Sequence, residues 1–305
     1  MGKEHEIFHG KVHRTLNLGQ AGAILACGLS NDDKLAASCS TNKKVLLWDV
    51  ESGRCTGSLD GHKADVSACS FSANLLATGS LDGMIFLWKF KEGKRTSRIN
   101  VHAGAIHACV ISPDGRFLAS ASEDKTARVY TIRGGDGEFI QGPQCKELLG
   151  HTDGINDISF SYDSCAIVTA STDGSIKIWD TETGECLVML SEEGQKVIDA
   201  RFSSDGRYIV TMTNNFISVW NISKKKKIWS IEEDKGLQSL SCHPSENIFI
   251  VVSMDGTIAG YDITNKTGIF KKGSDHTGPV LACEFSQSGN MAVTGGVDGK
   301  VLVWQ

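Results

Sequence analysis

Four stretches of the chain combine a histidine, a hydroxyl residue, an acid and an aromatic in one phase: His62, Thr78, Asp82, Trp88; His102, Ser120, Asp124, Tyr130; His151, Thr169, Asp173, Trp179; and His276, Thr294, Asp298, Trp304. The hydroxyl stands four residues before the acid, the acid six before the aromatic, and the histidine 20 or 22 before the acid. Hydroxyl, imidazole and carboxylate are the nucleophile, base and orienting acid of acyl transfer. Four copies in one phase fit repeated construction better than four active sites, so no catalytic residue is assigned. The ten cysteines contain no C-x-x-C pair or nearby Cys and His cluster, and neither a metal nor a cofactor is expected. Cys27, Cys69, Cys109 and Cys283 instead recur in Ala-Cys pairs, three residues after Ile24, Val66, Ile106 and Val280, which reads as a template of small buried side chains. Gly295 to Lys300 (GGVDGK) fails as a phosphate loop, because the first glycine would fall at Thr294 and Val301 replaces the Ser or Thr.

The elements that hold these residues follow from a period. An aromatic closes a β-rich run at Trp48, Trp88, Tyr130, Trp179, Trp220, Tyr261 and Trp304, at spacings of 40, 42, 49, 41, 41 and 43 residues. Each period holds a short apolar strand, a turn such as Ser112 to Gly115 (SPDG), an apolar run, a turn such as TDG, and alternation into the aromatic, as in Ser175 to Trp179 (SIKIW). A further hairpin, SGRC or TGEC, leads to a fourth strand. Four-stranded units of this length bury both faces only by stacking radially. The fold expected is all-β: a seven-bladed β-propeller of antiparallel four-stranded blades. The last repeat lacks its outer strand, and Val12 to Leu16 (VHRTL) has the pattern to supply it, closing the ring. Residues 1–10 read as an N-terminal tail and 11–305 as one propeller.

Composition narrows the function. The 305 residues carry 31 Lys plus Arg against 36 Asp plus Glu, a net charge of −5 that argues against general nucleic-acid affinity. No apolar run reaches the ~20 residues of a membrane span, and the first ten residues lack the apolar core of a secretory signal. The expectation is an intracellular protein, cytoplasmic, nuclear or both.

With Gly61-His62 and Gly150-His151, and Trp48-Asp49 and Trp179-Asp180, residues 11 to 305 resemble the WD40-repeat family. The resemblance implies a hydrogen-bonded Asp-His-Ser/Thr-Trp tetrad inside each blade, and a scaffold or adaptor that presents one face and its channel mouth to a protein or peptide. Tyr130 replaces the tryptophan in the third tetrad and loses its indole donor. Three repeats depart further: Ser38, Asn42 and Trp48 with Gly19-Gln20 where Gly-His would fall; Val210, Asn214 and Trp220; and Val251, Asp255 and Tyr261. None has the matching histidine, and the two valines are expected to cost their blades a polar partner.

On the face that carries the loops entering each blade, the mouth is predicted to be lined by Leu25, Ser67, His107, Asn156, Ile198, Gln238 and Leu281. Glu192 and Glu193, with Glu232, Glu233 and Asp234, are expected to form an acidic patch there that favours a basic segment. The opposite face carries Lys224 to Lys227, and Lys91, Lys94 and Arg95; the long third interval adds the loop Arg133 to Gln144, with Phe139 and Ile140 as contacts. The alternatives are a subunit that mainly builds a larger complex, and an enzyme using His107 or a tetrad. A monomer, alone or within a complex, is expected.

Overall fold

A computed structural model describes residues 11–17, 22–100, 102–133, 138–139 and 145–305. The tail at 1–10, Gly19-Gln20 and most of the loop from Arg133 to Gln144 lie outside the described residues. The described residues form seven antiparallel sheets of four strands, six of them in sequence order and the seventh completed by the N-terminal strand Val12–Leu16, with the third carrying an extra two-residue strand, Glu138–Phe139. The innermost strands are Ile24–Leu29, Val66–Phe71, Ile106–Ile111, Ile155–Phe160, Asp199–Phe202, Leu237–Cys242 and Val280–Phe285. Each touches the next, and the seventh touches the first, so the sheets close into a propeller.

The turns explain why the strands stop where they do. At Ser112 to Gly115, the Ser112 hydroxyl donates to Asp114 Oδ1 at 2.6 Å and accepts from the Phe117 amide at 2.9 Å. Gly115 takes φ of +73°, a conformation that costs most other residues strain. The same bonds recur at Ser203 and Asp205 in the fifth blade. A polar side chain thus replaces the ladder bonds the backbone loses in reversing direction.

The apolar residues lie between blades. One cluster joins Val45 and Leu47 of the first blade to Phe71, Leu76 and Phe86 of the second, and corresponding clusters follow around the ring. Cys27, Cys69, Cys109 and Cys283 are buried free thiols of inner strands. The ring is closed as the terminal pattern predicts: Val12–Leu16 pairs antiparallel with Val301–Trp304, from Val12 opposite Trp304 to Leu16 opposite Val301. The Lys11 and Gln305 backbones exchange bonds of 2.8 and 2.9 Å just beyond it, and Leu16 is fully buried.

Candidate interaction face and its supporting tetrads

In the fourth blade the Trp179 indole N–H donates to Thr169 Oγ1 at 2.9 Å, Thr169 lies 2.7 Å from His151 Nε2, and His151 Nδ1 lies 3.3 Å from Asp173. For a neutral imidazole each donor meets one acceptor along this line. Burial holds the His151 pKa below its ordinary value. Burial alone would raise that of Asp173, but hydrogen bonds from Ser175 and the Thr152 amide outweigh it and hold the carboxylate ionised. The Thr152 bond, 2.7 Å, ties the loop entering the blade to the turn between its second and third strands. The tetrad thereby sets the height of the face.

The seventh blade repeats these contacts, with His276 2.9 Å from both Asp298 and Thr294, and Trp304 2.9 Å from Thr294. In the third, His102 lies 2.9 Å from Asp124 and 2.8 Å from Ser120, while Arg128 and Cys145 adjoin Tyr130. In the second, His62 stands 20 rather than 22 residues before Asp82, and its Nδ1 is 3.6 Å from the carboxylate. His62 Nε2 still meets Thr78 at 2.9 Å, and the ring stacks on Phe86 at 4.1 Å. The first blade keeps the bond from Trp48 to Ser38, at 2.9 Å.

The fifth and sixth blades replace the histidine with a glutamate. Glu192 precedes Trp220 by 28 residues and Glu233 precedes Tyr261 by 28, the interval from His151 to Trp179. Glu192 is buried; it accepts from the Trp220 indole at 3.2 Å, from Thr211 at 3.1 Å and from Lys227 at 2.5 Å. Thr211, not Val210, is the hydroxyl of this blade: Trp220 pairs with Ile209, as Trp179 pairs with Ile167, and the hydroxyl lies two residues beyond. The turn before Trp220 is one residue shorter, which shifts a count made from the tryptophan. In the sixth blade Val251 is apolar as read, and Glu233 accepts from the Tyr261 hydroxyl at 2.6 Å and from Lys271 at 2.6 Å. Asp255 pairs with Lys235 at 2.6 Å.

The acidic patch therefore changes. Glu193, Glu232 and Asp234 are exposed, whereas Glu192 and Glu233 turn inward to lysines. Lys227 leaves the tetralysine run for the same reason, while Lys224, Lys225 and Lys226 stay exposed. The common 28-residue interval to the aromatic was the available signal for both glutamates.

The turns between second and third strands share a face with the entering loops: the Leu81, Glu123, Thr172, Met254 and Val297 amides donate to the Asp65, Ala105, Gly154, Gly236 and Pro279 carbonyls. Leu25, Ser67, His107, Asn156, Ile198, Gln238 and Leu281 all line one axial channel of about 680 Å³. Three of the polar members already serve the wall. Ser67 donates to the Ile106 carbonyl, Asn156 to the Val197 carbonyl at 2.7 Å and Gln238 to the Leu237 carbonyl at 3.1 Å. His107 is half-buried, and burial lowers its pKa, with Glu123 opposing and Lys196 assisting.

Deeper in the channel lie charges that the sequence reading did not single out. Arg201 Nη2 donates to Asp157 at 3.2 Å, and its Nε lies 3.1 Å from Asp199. Asp199 also accepts from the Leu240 amide at 3.0 Å, tying the fifth blade to the sixth. Burial raises its pKa, Arg201 opposes this and Asp157 adds to it. Glu284 lines the same channel, its pKa pushed up to about 7 by burial. Their signal was a charge inside an otherwise apolar inner strand.

Comparison with known proteins agrees with this geometry. The family described as WD domain, G-beta repeat matches residues 10–49, 53–89, 93–131, 142–180 and 269–305. The long unmatched stretch, 181–268, contains both glutamates that replace histidine and their aromatics, Glu192 with Trp220 and Glu233 with Tyr261. The chain is 24% identical over 281 residues to the serine-threonine kinase receptor-associated protein of Dictyostelium discoideum, covering 90% of this chain and 92% of the relative. It is 27% identical over 332 residues to the nuclear distribution protein PAC1 of Arthroderma benhamiae, covering 97% and 68%. With autophagy-related protein 16 of Arabidopsis thaliana it shares 23% over 292 residues, 94% of this chain but 48% of the relative. No helix among the described residues is long and apolar enough to cross a membrane.

Proposed function

The chain belongs to the WD40-repeat family, and from that premise we propose that it is a non-catalytic adaptor whose channel mouth and surrounding face hold a peptide segment of a protein partner. The observation that carries this reading is the convergence of all seven mouth residues on one channel. A concave site with an aliphatic portion and a few polar groups suits a side-chain anchor. The tetrads support the non-catalytic reading. Thr169 is buried between His151 and Trp179, and Thr294 between His276 and Trp304, so neither hydroxyl is open to a substrate. A basic segment remains the favoured ligand, drawn by Glu193, Glu232 and Asp234.

Proximity labelling in cells tests the proposal with three forms of the full chain: unaltered, Leu25→Asp with Leu281→Asp at the mouth, and Lys224→Glu with Lys225→Glu on the opposite hairpin. Loss of partners in the mouth variant alone is expected. Loss in the hairpin variant alone would overturn the assignment of the face.

A further inference from the structure

The channel-mouth face is divided. Each blade but the fifth places one residue just before the acid or Asn42 of its second turn; in ring order from the sixth blade these are Met254, Val297, Thr41, Leu81, Glu123 and Thr172. Met254, Val297 and Leu81 are 53%, 40% and 40% exposed. The mouth residues behind this arc include Leu281 and Leu25, on the adjoining seventh and first blades. An aliphatic sector thus runs over the sixth, seventh, first and second blades, interrupted at the turn level by Thr41 and at the mouth by the polar Gln238 and Ser67 at its two ends.

Two glycines let the sector lie low. A Cβ on Gly236 would come within 3.3 Å of Met254 Cγ and Sδ, and one on Gly278 within 3.0 Å of Val297 Cγ2. The two exposed side chains therefore rest on the loops that lead into Leu237 and Leu281. Side chains set in this way against the loop backbone present apolar contacts on the channel-mouth face.

Along the channel, the remaining sector is polar and charged. Glu123 and Asp153 line the channel at the third and fourth blades, with Asp157 and Asp199 on the fourth and fifth, against the cations Lys196 and Arg201, while Glu284 lines it from the seventh blade. Arg201 is occupied by Asp157 and Asp199. Carboxylates outnumber cations along the wall that faces the aliphatic sector, which favours a cationic group at that side.

We infer that the ligand is an extended peptide in which an aliphatic side chain lies close to a lysine or arginine, the first seated on Met254, Val297, Leu25 and Leu281 and the second over Glu123 and Asp153. This deepens the proposed function and rests on its placement of the dock at the mouth.

A displayed library of random peptides, selected on the immobilised full chain, tests it. Enriched sequences are expected to pair Leu, Ile, Val or Met with Lys or Arg. Binding of the best synthetic peptide, followed by fluorescence anisotropy, is expected to weaken roughly tenfold in Met254→Ser with Val297→Ser, from the apolar area lost. Glu123→Lys with Asp153→Lys is expected to weaken it by a similar factor and to reduce its salt dependence. The substituted side chains lie at the rim, and circular dichroism checks that each variant keeps its fold. Enriched peptides that lack either residue class, or whose binding ignores both double variants, would overturn the inference. If their binding is still abolished by Leu25→Asp with Leu281→Asp, the dock at the mouth survives. If no peptide is enriched, or Leu25→Asp with Leu281→Asp has no effect, both readings fall.

Discussion

Replacing Glu192 with alanine tests the central reassignment made from the geometry. Glu192 accepts from Trp220, Thr211 and Lys227, and its side chain is 6% exposed against 37% for Lys227. Removing a buried charged acceptor costs roughly 3–5 kcal/mol when its partner is stranded in the interior. Here Lys227 reaches water, and Trp220 retains Thr211 at 3.0 Å. The expected loss is therefore smaller, about 2 kcal/mol. That corresponds to a fall in melting temperature of roughly 4–8 °C at the scale of 150–250-residue chains. Glu193 is the control, since it adjoins Glu192 in sequence but is exposed; Glu193→Ala is expected to stay within about 0.5 kcal/mol. Thermal melting by circular dichroism, with Glu192→Gln and the pair Glu192→Ala with Lys227→Met alongside, separates the contributions. The glutamine keeps an acceptor and should recover part of the loss. The pair should be less damaged than the sum of its single changes. Equal melting temperatures for Glu192→Ala and Glu193→Ala would refute the inward placement and return Glu192 to the surface patch.

Three further outcomes follow from the same physics. Thr169→Val strips the acceptor from the Trp179 indole and the partner from His151, and should cost about 2–4 kcal/mol by denaturant titration; no change would mean that water replaces the hydroxyl. His62, His102 and His151 are held neutral by burial, so the stability they contribute is present above about 6.5 and lost as pH falls toward their lowered folded values. Asp124 and Asp173, also depressed, act in the same direction at lower pH, through and below the ordinary carboxylate range; melting temperature should fall as the buffer is acidified from 7 to 5, and a rise would contradict neutral tetrads. Deleting residues through Leu16 uncovers the edge Val301–Trp304 and the cavity left by Leu16; size-exclusion chromatography should show association or loss of the compact species, and an unaltered elution and melt would show that closure does not depend on this strand.

Much of the fold was legible because propeller geometry is written in local repetition. The recurring aromatic, the Ser-x-Asp-Gly turns and alternations such as Ser175 to Trp179 each concern neighbours within one hairpin. The terminal pairing was readable as well, because a three-stranded last repeat leaves an edge that needs a partner and Val12 to Leu16 has the matching alternation. The histidine tetrads were readable as a phase relation, since fixed turn lengths carry the same residue types to the same positions. That phase is reliable only while turn length holds. One residue fewer before Trp220 moved the hydroxyl from Val210 to Thr211, and the change is visible only in the pairing of Ile209 with Trp220.

Sequence alone was sufficient for the seven blades, their closure and the seven positions around the mouth, because strand alternation and turn chemistry act over a few residues. Tertiary structure decided which charges face water. A glutamate in an entering loop is equally acidic in the string whether it points to solvent or beneath the loop, and only the arrival of Lys227 and Lys271 from outer strands 35 and 38 residues away draws Glu192 and Glu233 inward. The same is true of Arg201, whose place between Asp157 and Asp199 depends on the fourth and fifth blades lying side by side around one channel. Burial and charge pairing are properties of the closed ring, in which distant segments supply each other's desolvation and counter-ions, so no local pattern encodes them.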